Sequence, residues 1–217
     1  IGMGGSILGS EAIYFFLNNK IKNNFIFLYN LDETKKYNII NSKKNLFVII
    51  SKSGNTLETI TNVNLIKKNV LTSNNTIVVS SRKNSALYLF SKKNKIPFVE
   101  HKNYIGGRYS ILSEVGVLPA FLMGLDVKKF RKNTLSHFNY KKKLLLIDSV
   151  LKISQIYLSK KFNSIVFLNY CPQLNKFLYW YQQLVAESLG KKGKGLIPIV
   201  SEAPKDHHSL LQLYLDG

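Results

Sequence analysis

Ser51-Lys52-Ser53-Gly54-Asn55-Thr56-Leu57-Glu58-Thr59 joins an apolar run to an amphipathic one. Before it, Leu46-Phe47-Val48-Ile49-Ile50 is short, continuous, apolar and rich in β-branched residues, the pattern of a buried strand. After it, Leu57, Ile60, Val63, Ile66 and Val70 recur at the three- and four-residue spacing of a helix face. The hydroxyl-rich stretch is therefore a turn from the carboxyl end of a strand into a helix. The first N–H groups of a helix and its positive dipole end can hold a phosphate, and Ser and Thr hydroxyls add donors. The same residue types also cap helix starts. The turn by itself fits either reading.

Working outward, strands alternate with helices through the first half. A glycine turn at Gly2–Gly5 leads into a helix around Ile7–Asn18. Then come a strand at Phe25–Tyr29, a short helix at Thr34–Ile40, the strand Leu46–Ile50 and a helix over Leu57–Leu71. A strand at Thr76–Ser80, a helix at Ser85–Lys93 and a short strand at Pro97–Glu100 follow. This alternation predicts a parallel sheet covered on both faces, with ligands bound at the carboxyl ends of its strands. After Gly106-Gly107-Arg108 an apolar helix is expected from Ser110 to Leu122. The polar, basic tract Asp126–Lys143 reads as an irregular connection. A second α/β series follows: helix Leu144–Ser159, strand Ser164–Leu168, helix Leu174–Leu189 and strand Leu196–Val200. The expected division is 1–125, a connection at 126–143, and 144–217.

The chain has 217 residues, 45% of them hydrophobic, which excludes a wholly disordered chain. No apolar run approaches the roughly 18 residues of a membrane helix. Ile1-Gly2-Met3-Gly4-Gly5 lacks the basic and apolar regions of a signal peptide, and the sequence opens without Met, as a stretch cut from a longer chain would. The single cysteine, Cys171, has no partner for an internal disulfide, which fits a reducing, cytoplasmic setting. The formal charge of +19 invites a nucleic-acid reading. Against it, only 3 of the 31 basic residues are Arg, the residue suited to base and bidentate phosphate recognition. The lysines come as scattered pairs between apolar elements, in a chain also rich in Asn and Ile. That pattern reads as compositional bias, so neither a specific nucleic acid nor a membrane is expected as a partner.

Further segments carry chemistry. Gly2-Met3-Gly4-Gly5-Ser6 lets backbone approach a ligand closely and presents the Ser6 hydroxyl at a helix start. It is an incomplete dinucleotide fingerprint, because Ile7 stands where the last glycine belongs. Arg108 sits in a glycine-flanked loop before a helix, where a planar fork can face an anion or form a surface ion pair. Gln183 and Glu187 lie four residues apart on one helix face. Leu184 and Ala186 are expected to limit hydration of Glu187 and so push its carboxyl toward a base's working range, whereas pairing with Lys191 would make it a surface residue. Asp206-His207-His208-Ser209 contains adjacent histidines whose side chains diverge, and no companion set stands at metal spacing. No metal is expected, and acid–base work by one histidine is the better reading.

In this order, Gly2–Ser6, Ser51–Thr59, Gly106-Gly107-Arg108-Tyr109-Ser110, Ala186-Glu187-Ser188-Leu189-Gly190-Lys191 and His208-Ser209-Leu210-Leu211-Gln212-Leu213 resemble the glucose-6-phosphate isomerase family in its bacterial form. The first two segments suit any sugar-isomerase-type phosphosugar domain; the others are specific to the isomerase. The resemblance implies an α/β fold of two sugar-isomerase-type domains, each a parallel sheet between helix layers, and a homodimer. It implies that Ser51, Lys52, Ser53, Thr56 and Thr59 hold the 6-phosphate, and that Gly5 and Ser6 line the sugar. Gln183 would position the substrate. Arg108 would steady an enediolate, Glu187 would move the proton between C2 and C1, and His208 would assist ring opening in the neighbouring subunit's site. The reaction would interconvert glucose 6-phosphate and fructose 6-phosphate without metal or nucleotide. The family also uses a lysine near its C-terminus, which this sequence does not reach, so inactivity of the stretch by itself is compatible with the resemblance. A non-catalytic phosphosugar-binding module is the alternative. It would need the hydroxyl turn, but not Arg108, Glu187 and His208 in their contexts.

Overall fold

A computed structural model describes residues 1–31, 40, 42, 44–67 and 69–217. The expected helix Thr34–Ile40 lies almost wholly outside the described residues. The chain divides into two compact units, Ile1–Leu125 and Asp126–Gly217.

In the first unit, β1 (Phe47–Ser51), β2 (Thr76–Ser80) and β3 (Phe98–Glu100) form a parallel sheet in the order β1-β2-β3. The crossovers carry α2 (Leu57–Leu65) and α3 (Ala86–Lys93), and α1 (Leu8–Phe16) precedes them. Because side chains alternate along a strand, neighbouring residues serve opposite faces. Ile49 and Val78 pack with Val63, Ile66, Leu87 and Ile96 on one face. Ile50 and Val79 pack with Val115 and Leu118 of α4 (Glu114–Leu122) on the other. Strands buried on both faces have no polar side to alternate with, hence the continuous apolar run at β1.

Ile1 extends this sheet. Its amino group donates to the Val48 carbonyl at 2.7 Å, and the Ile50 N–H donates to the Ile1 carbonyl at 2.8 Å. On the far side Gly2 N–H donates to the Leu28 carbonyl at 3.1 Å. The expected strand Phe25–Tyr29 does not form. Its neighbour, the Ile1–Gly2 arm, is too short to template a ladder, and Phe25 and Phe27 instead gather around the Tyr14 ring.

α2 stops at Leu65, short of the expected Leu71. Ile66 and Val70 still enter the core, though neither lies in a helix, and Asn75 ties the turn after Val70: its side-chain amide donates to the Val70 carbonyl, and its side-chain oxygen accepts from Thr72 N–H. The apolar helix after Gly106 is split. Residues Gly107–Leu112 form a 3-10 turn, and Ser113 starts α4 afresh by accepting from Val115 N–H while donating to the Ser110 carbonyl.

The second unit opens with α5 (Val127–Lys132), a 3-10 turn at Leu135–Phe138 and α6 (Tyr140–Leu158). The tract read as irregular is thus largely helical. Asp126 and Asn139 cap the two helices, accepting from Lys129 and Lys142 N–H. Next come β4 (Ser164–Asn169), α7 (Asn175–Leu189) and β5 (Ile197–Glu202), then a 3-10 turn at Lys205–His208 and α8 (Leu211–Asp216). β4 and β5 pair in parallel from Ser164↔Ile197 to Asn169↔Glu202. α7 lies on β5, where Gln182 donates to the Pro198 carbonyl, and its Tyr181 ring meets Phe167 of β4 edge-on.

Candidate active site

The β1–α2 turn is held by its own hydroxyls. Ser51 Oγ lies 2.8 Å from Thr56 Oγ1 and accepts from Gly54 N–H at 3.2 Å. Ser53 Oγ accepts from Asn55 N–H at 3.1 Å and stands 3.4 Å from Thr56 Oγ1. Thr56 precedes α2 yet makes no side-chain cap, so its hydroxyl is tied to other hydroxyls rather than to the helix's first N–H groups. The turn also locks onto the next one. Ser81 N–H donates to Lys52, Leu87 N–H donates to Gly54, and Ala86 N–H donates to Asn55 Oδ1. Gly54 has φ +69, and a Cβ there would lie 2.2 Å from Ser85 Oγ and 2.8 Å from Ser80 Oγ, so only glycine fits. Ser53 is exposed, and Lys52 and Thr56 are half-buried. Ser51 and Thr59 are buried, and the Thr59 hydroxyl has no partner among the described residues.

Two glycine segments meet beside this turn. Gly4–Ser6 is a short 3-10 turn packed on the one at Gly107–Leu112. A Cβ on Gly5 would lie 2.3 Å from the Gly107 carbonyl atoms and 2.6 Å from Arg108 N, so the two backbones touch. The Ser110 hydroxyl lies within donating distance of the carbonyls of Gly107 (2.6 Å) and Gly5 (3.2 Å). Arg108 is half-buried, its guanidinium carbon 4.6 Å from the Tyr109 ring centre. Gly2 in turn is so near β1 that a Cβ would lie 3.1 Å from the Ile50 carbonyl oxygen. Gly2–Ser6, the Ser51–Thr56 turn and the Arg108 loop are therefore gathered at the carboxyl end of one parallel sheet, the place such sheets bind ligands.

In the second unit, Gln183 donates from Nε2 to Glu187 Oε1 at 2.8 Å along α7. Glu187 is exposed rather than shielded by Leu184 and Ala186, because it falls on the solvent side of the last turn of α7. After β5, the Asp206 carboxylate accepts from the Ser201 hydroxyl at 2.8 Å and from Glu202 N–H at 2.7 Å. The Glu202 N–H and then the Ser201 hydroxyl hold the Asp206 carboxyl below its ordinary value. The turn it fixes carries both histidines. His207 Nε2 lies 2.9 Å from Tyr170 OH, and His208 is exposed. Among the described residues no group of three or more His, Cys, Asp or Glu is placed to hold a metal ion.

Ser110, Asp206 and Tyr170 had no task in the sequence reading. Ser110 and Asp206 sit inside the Arg108 and His207-His208 segments, and a serine two residues after an arginine or an aspartate beside histidines was the available signal. Tyr170 meets His207 only through the fold.

The sequence model of phosphoglucose isomerase matches residues 1–197. The chain belongs to the phosphoglucose isomerase family. Among curated relatives it is 36% identical over 228 residues to glucose-6-phosphate isomerase of Methanocaldococcus jannaschii, covering 100% of this chain and 56% of the relative. It is 33% identical over 236 residues to glucose-6-phosphate isomerase of Campylobacter jejuni, covering 57% of that protein. A crystal structure of a hypothetical protein from Thermus thermophilus superposes with a TM-score of 0.81 at 25% identity, over 100% of this chain and 56% of the other. The chain thus spans about half the length of the curated relatives it matches. Membership of the phosphoglucose isomerase family agrees with the parallel α/β architecture and with the order of the sequence motifs.

Proposed function

We propose that the protein containing this chain interconverts glucose 6-phosphate and fructose 6-phosphate, with this stretch supplying most of the site. The supporting observation is the gathering of the hydroxyl turn, the Gly2–Ser6 turn and the Arg108 loop at one sheet end. The 6-phosphate rests on Ser53, Thr56 and Lys52. Ser51, itself buried, orients the Thr56 hydroxyl from beneath. Thr59, wholly buried, supports the phosphate site from within α2. Gly5 and Ser6 line the sugar. Binding at the phosphate, remote from the reacting carbons, supplies the energy that positions C1 and C2.

His208, contributed across a homodimer, assists ring opening. The Glu187 carboxylate, held by Gln183, then takes the proton from C2 of the open aldose. The C2–H electron pair becomes the C1–C2 double bond, and the carbonyl oxygen gains the negative charge, which Arg108 stabilises. The hydroxyl proton on O2 passes to O1, the O2 electron pair becomes the C2 carbonyl, and the double-bond pair takes back the Glu187 proton at C1, giving the ketose. This proton transfer needs neither metal nor nucleotide. We place the protein in the cytoplasm, whose reducing setting suits the free Cys171 thiol.

The test is a pair of variants in the full-length protein. Glu187→Gln should lower turnover by about 10²-fold or more while keeping phosphosugar affinity, since general acid–base catalysis is worth about that much. Ser53→Ala with Thr56→Ala should instead raise KM. Near-normal turnover in Glu187→Gln overturns the base assignment, and unchanged KM in the hydroxyl variant moves the phosphate elsewhere.

A further inference from the structure

His101 and Glu114 bracket the loop that carries Arg108, and neither has a task in the chemistry above. His101 directly follows β3. Its N–H donates to the Ser80 carbonyl at 2.7 Å, which keeps it in the last row of the sheet. Its side chain is 1% exposed and its Nδ1 is hydrogen-bonded to Glu114 Oε1. Its Nε2 is buried with no hydrogen-bond partner among the described residues. Glu114 is the first residue of α4.

A polar pair with one member buried and the other partly exposed is a poor device for stability. Desolvation offsets most of its attraction, and apolar side chains of similar size often do as well. The orphaned Nε2 adds a further cost that a leucine would not incur. What the pair does hold is geometry. It joins positions 13 residues apart, the last row of the sheet and the first turn of α4, across the base of the segment holding Gly107–Leu112. At the other end of that segment the Ser110 hydroxyl reaches the Gly5 carbonyl. The loop is pinned at its base to the sheet and at its tip to the Gly2–Ser6 turn.

We propose that His101 and Glu114 are a positioning pair that fixes the Arg108 loop against the sheet. The proposal rests on the isomerase reading for Arg108 and deepens it. A cation that stabilises an oxyanion must already stand in place when the charge develops, and a displacement of about 1 Å can cost about 10²-fold in rate. Loosening the base of the loop should therefore appear in kcat, while the phosphate turn, built on β1 and α2, keeps its affinity.

The experiment uses the full-length protein with Glu114→Leu, His101→Leu and the double variant. Glu114→Leu nearly preserves volume at a partly exposed position and removes the hydrogen-bonding group that a glutamine amide would still offer to the His101 ring. The expected result is a fall in kcat of about tenfold or more, KM for fructose 6-phosphate within about twofold, and unchanged affinity for inorganic phosphate as the probe of the hydroxyl turn. The double variant should be no worse than the more damaging single one, because the residues act as a unit. Unchanged kcat per folded molecule, additive losses, or a parallel loss of phosphate affinity overturns the proposal. If the wild-type chain does not isomerise fructose 6-phosphate, the isomerase reading fails separately. Amide exchange at residues 106–112 then decides the pair: faster exchange in Glu114→Leu supports it, and wild-type protection overturns it.

Discussion

Gly54 shows how a single residue sets the shape of the hydroxyl turn. Its φ of +69 and the crowding by Ser85 and Ser80 oxygens admit no Cβ. Gly54→Ala should therefore push the turn off the Ser80–Ser85 segment, raising KM at least severalfold and lowering stability by about 1–3 kcal/mol, the usual cost of a strained backbone position. Steady-state kinetics and thermal melts check this, and a silent substitution would contradict the geometry. Chemistry at this scale was only partly legible. The turn that gathers Lys52, Ser53 and Thr56 was legible from its place between an apolar strand and an amphipathic helix. The burial of Ser51 and Thr59 and the exposure of Glu187 were not, because solvent access depends on which face of a helix meets the rest of the fold. His101–Glu114 was invisible for a related reason: no spacing rule announces a contact across a loop.

Elements were legible wherever the period was strong. β1 could be read from its apolar run, and β2 and α3 lie where the alternation of strands and helices placed them. Errors gathered where tertiary packing overrode the local pattern. Ile66 and Val70 keep helical spacing but reach the core without a helix, and Phe25–Tyr29 has strand composition but no long neighbour. Ile49 is fully buried at the centre of β1, so Ile49→Ala should cost about 2–5 kcal/mol in denaturant unfolding. A cost under about 1 kcal/mol would place the core elsewhere.

The turn after β5 belongs to the same scale. Asp206 titrates below its ordinary 3.8 because Glu202 N–H and the Ser201 hydroxyl favour the carboxylate. A folded-state pKa lowered below the unfolded one adds stability that is complete above the unfolded value and is lost as pH falls through the folded one. In melts run from about pH 5 down to about pH 2, the advantage of the native protein over Asp206→Asn should shrink with falling pH. An advantage that grows on acidification would contradict the assigned hydrogen bonds.

At the scale of the whole molecule, the alternation of strands and helices made the α/β class readable, and the ordered motifs made the family readable before any geometry was known. The formal charge of +19 does not define the fold but does bias what approaches it. KM for fructose 6-phosphate should rise as salt is raised from about 0.01 to about 1 M, with kcat nearly constant, because screening weakens attraction of the dianion and not the proton transfer. A salt-independent KM would confine recognition to short-range contacts at the hydroxyl turn. The most direct test of the central claim is a coupled assay following conversion of fructose 6-phosphate to glucose 6-phosphate by the full-length protein and by its Glu187→Gln variant. The account predicts steady turnover by the native protein and its loss in the variant with phosphosugar binding intact. No turnover by a folded, phosphosugar-binding native protein would contradict it and leave a binding module in place of an enzyme.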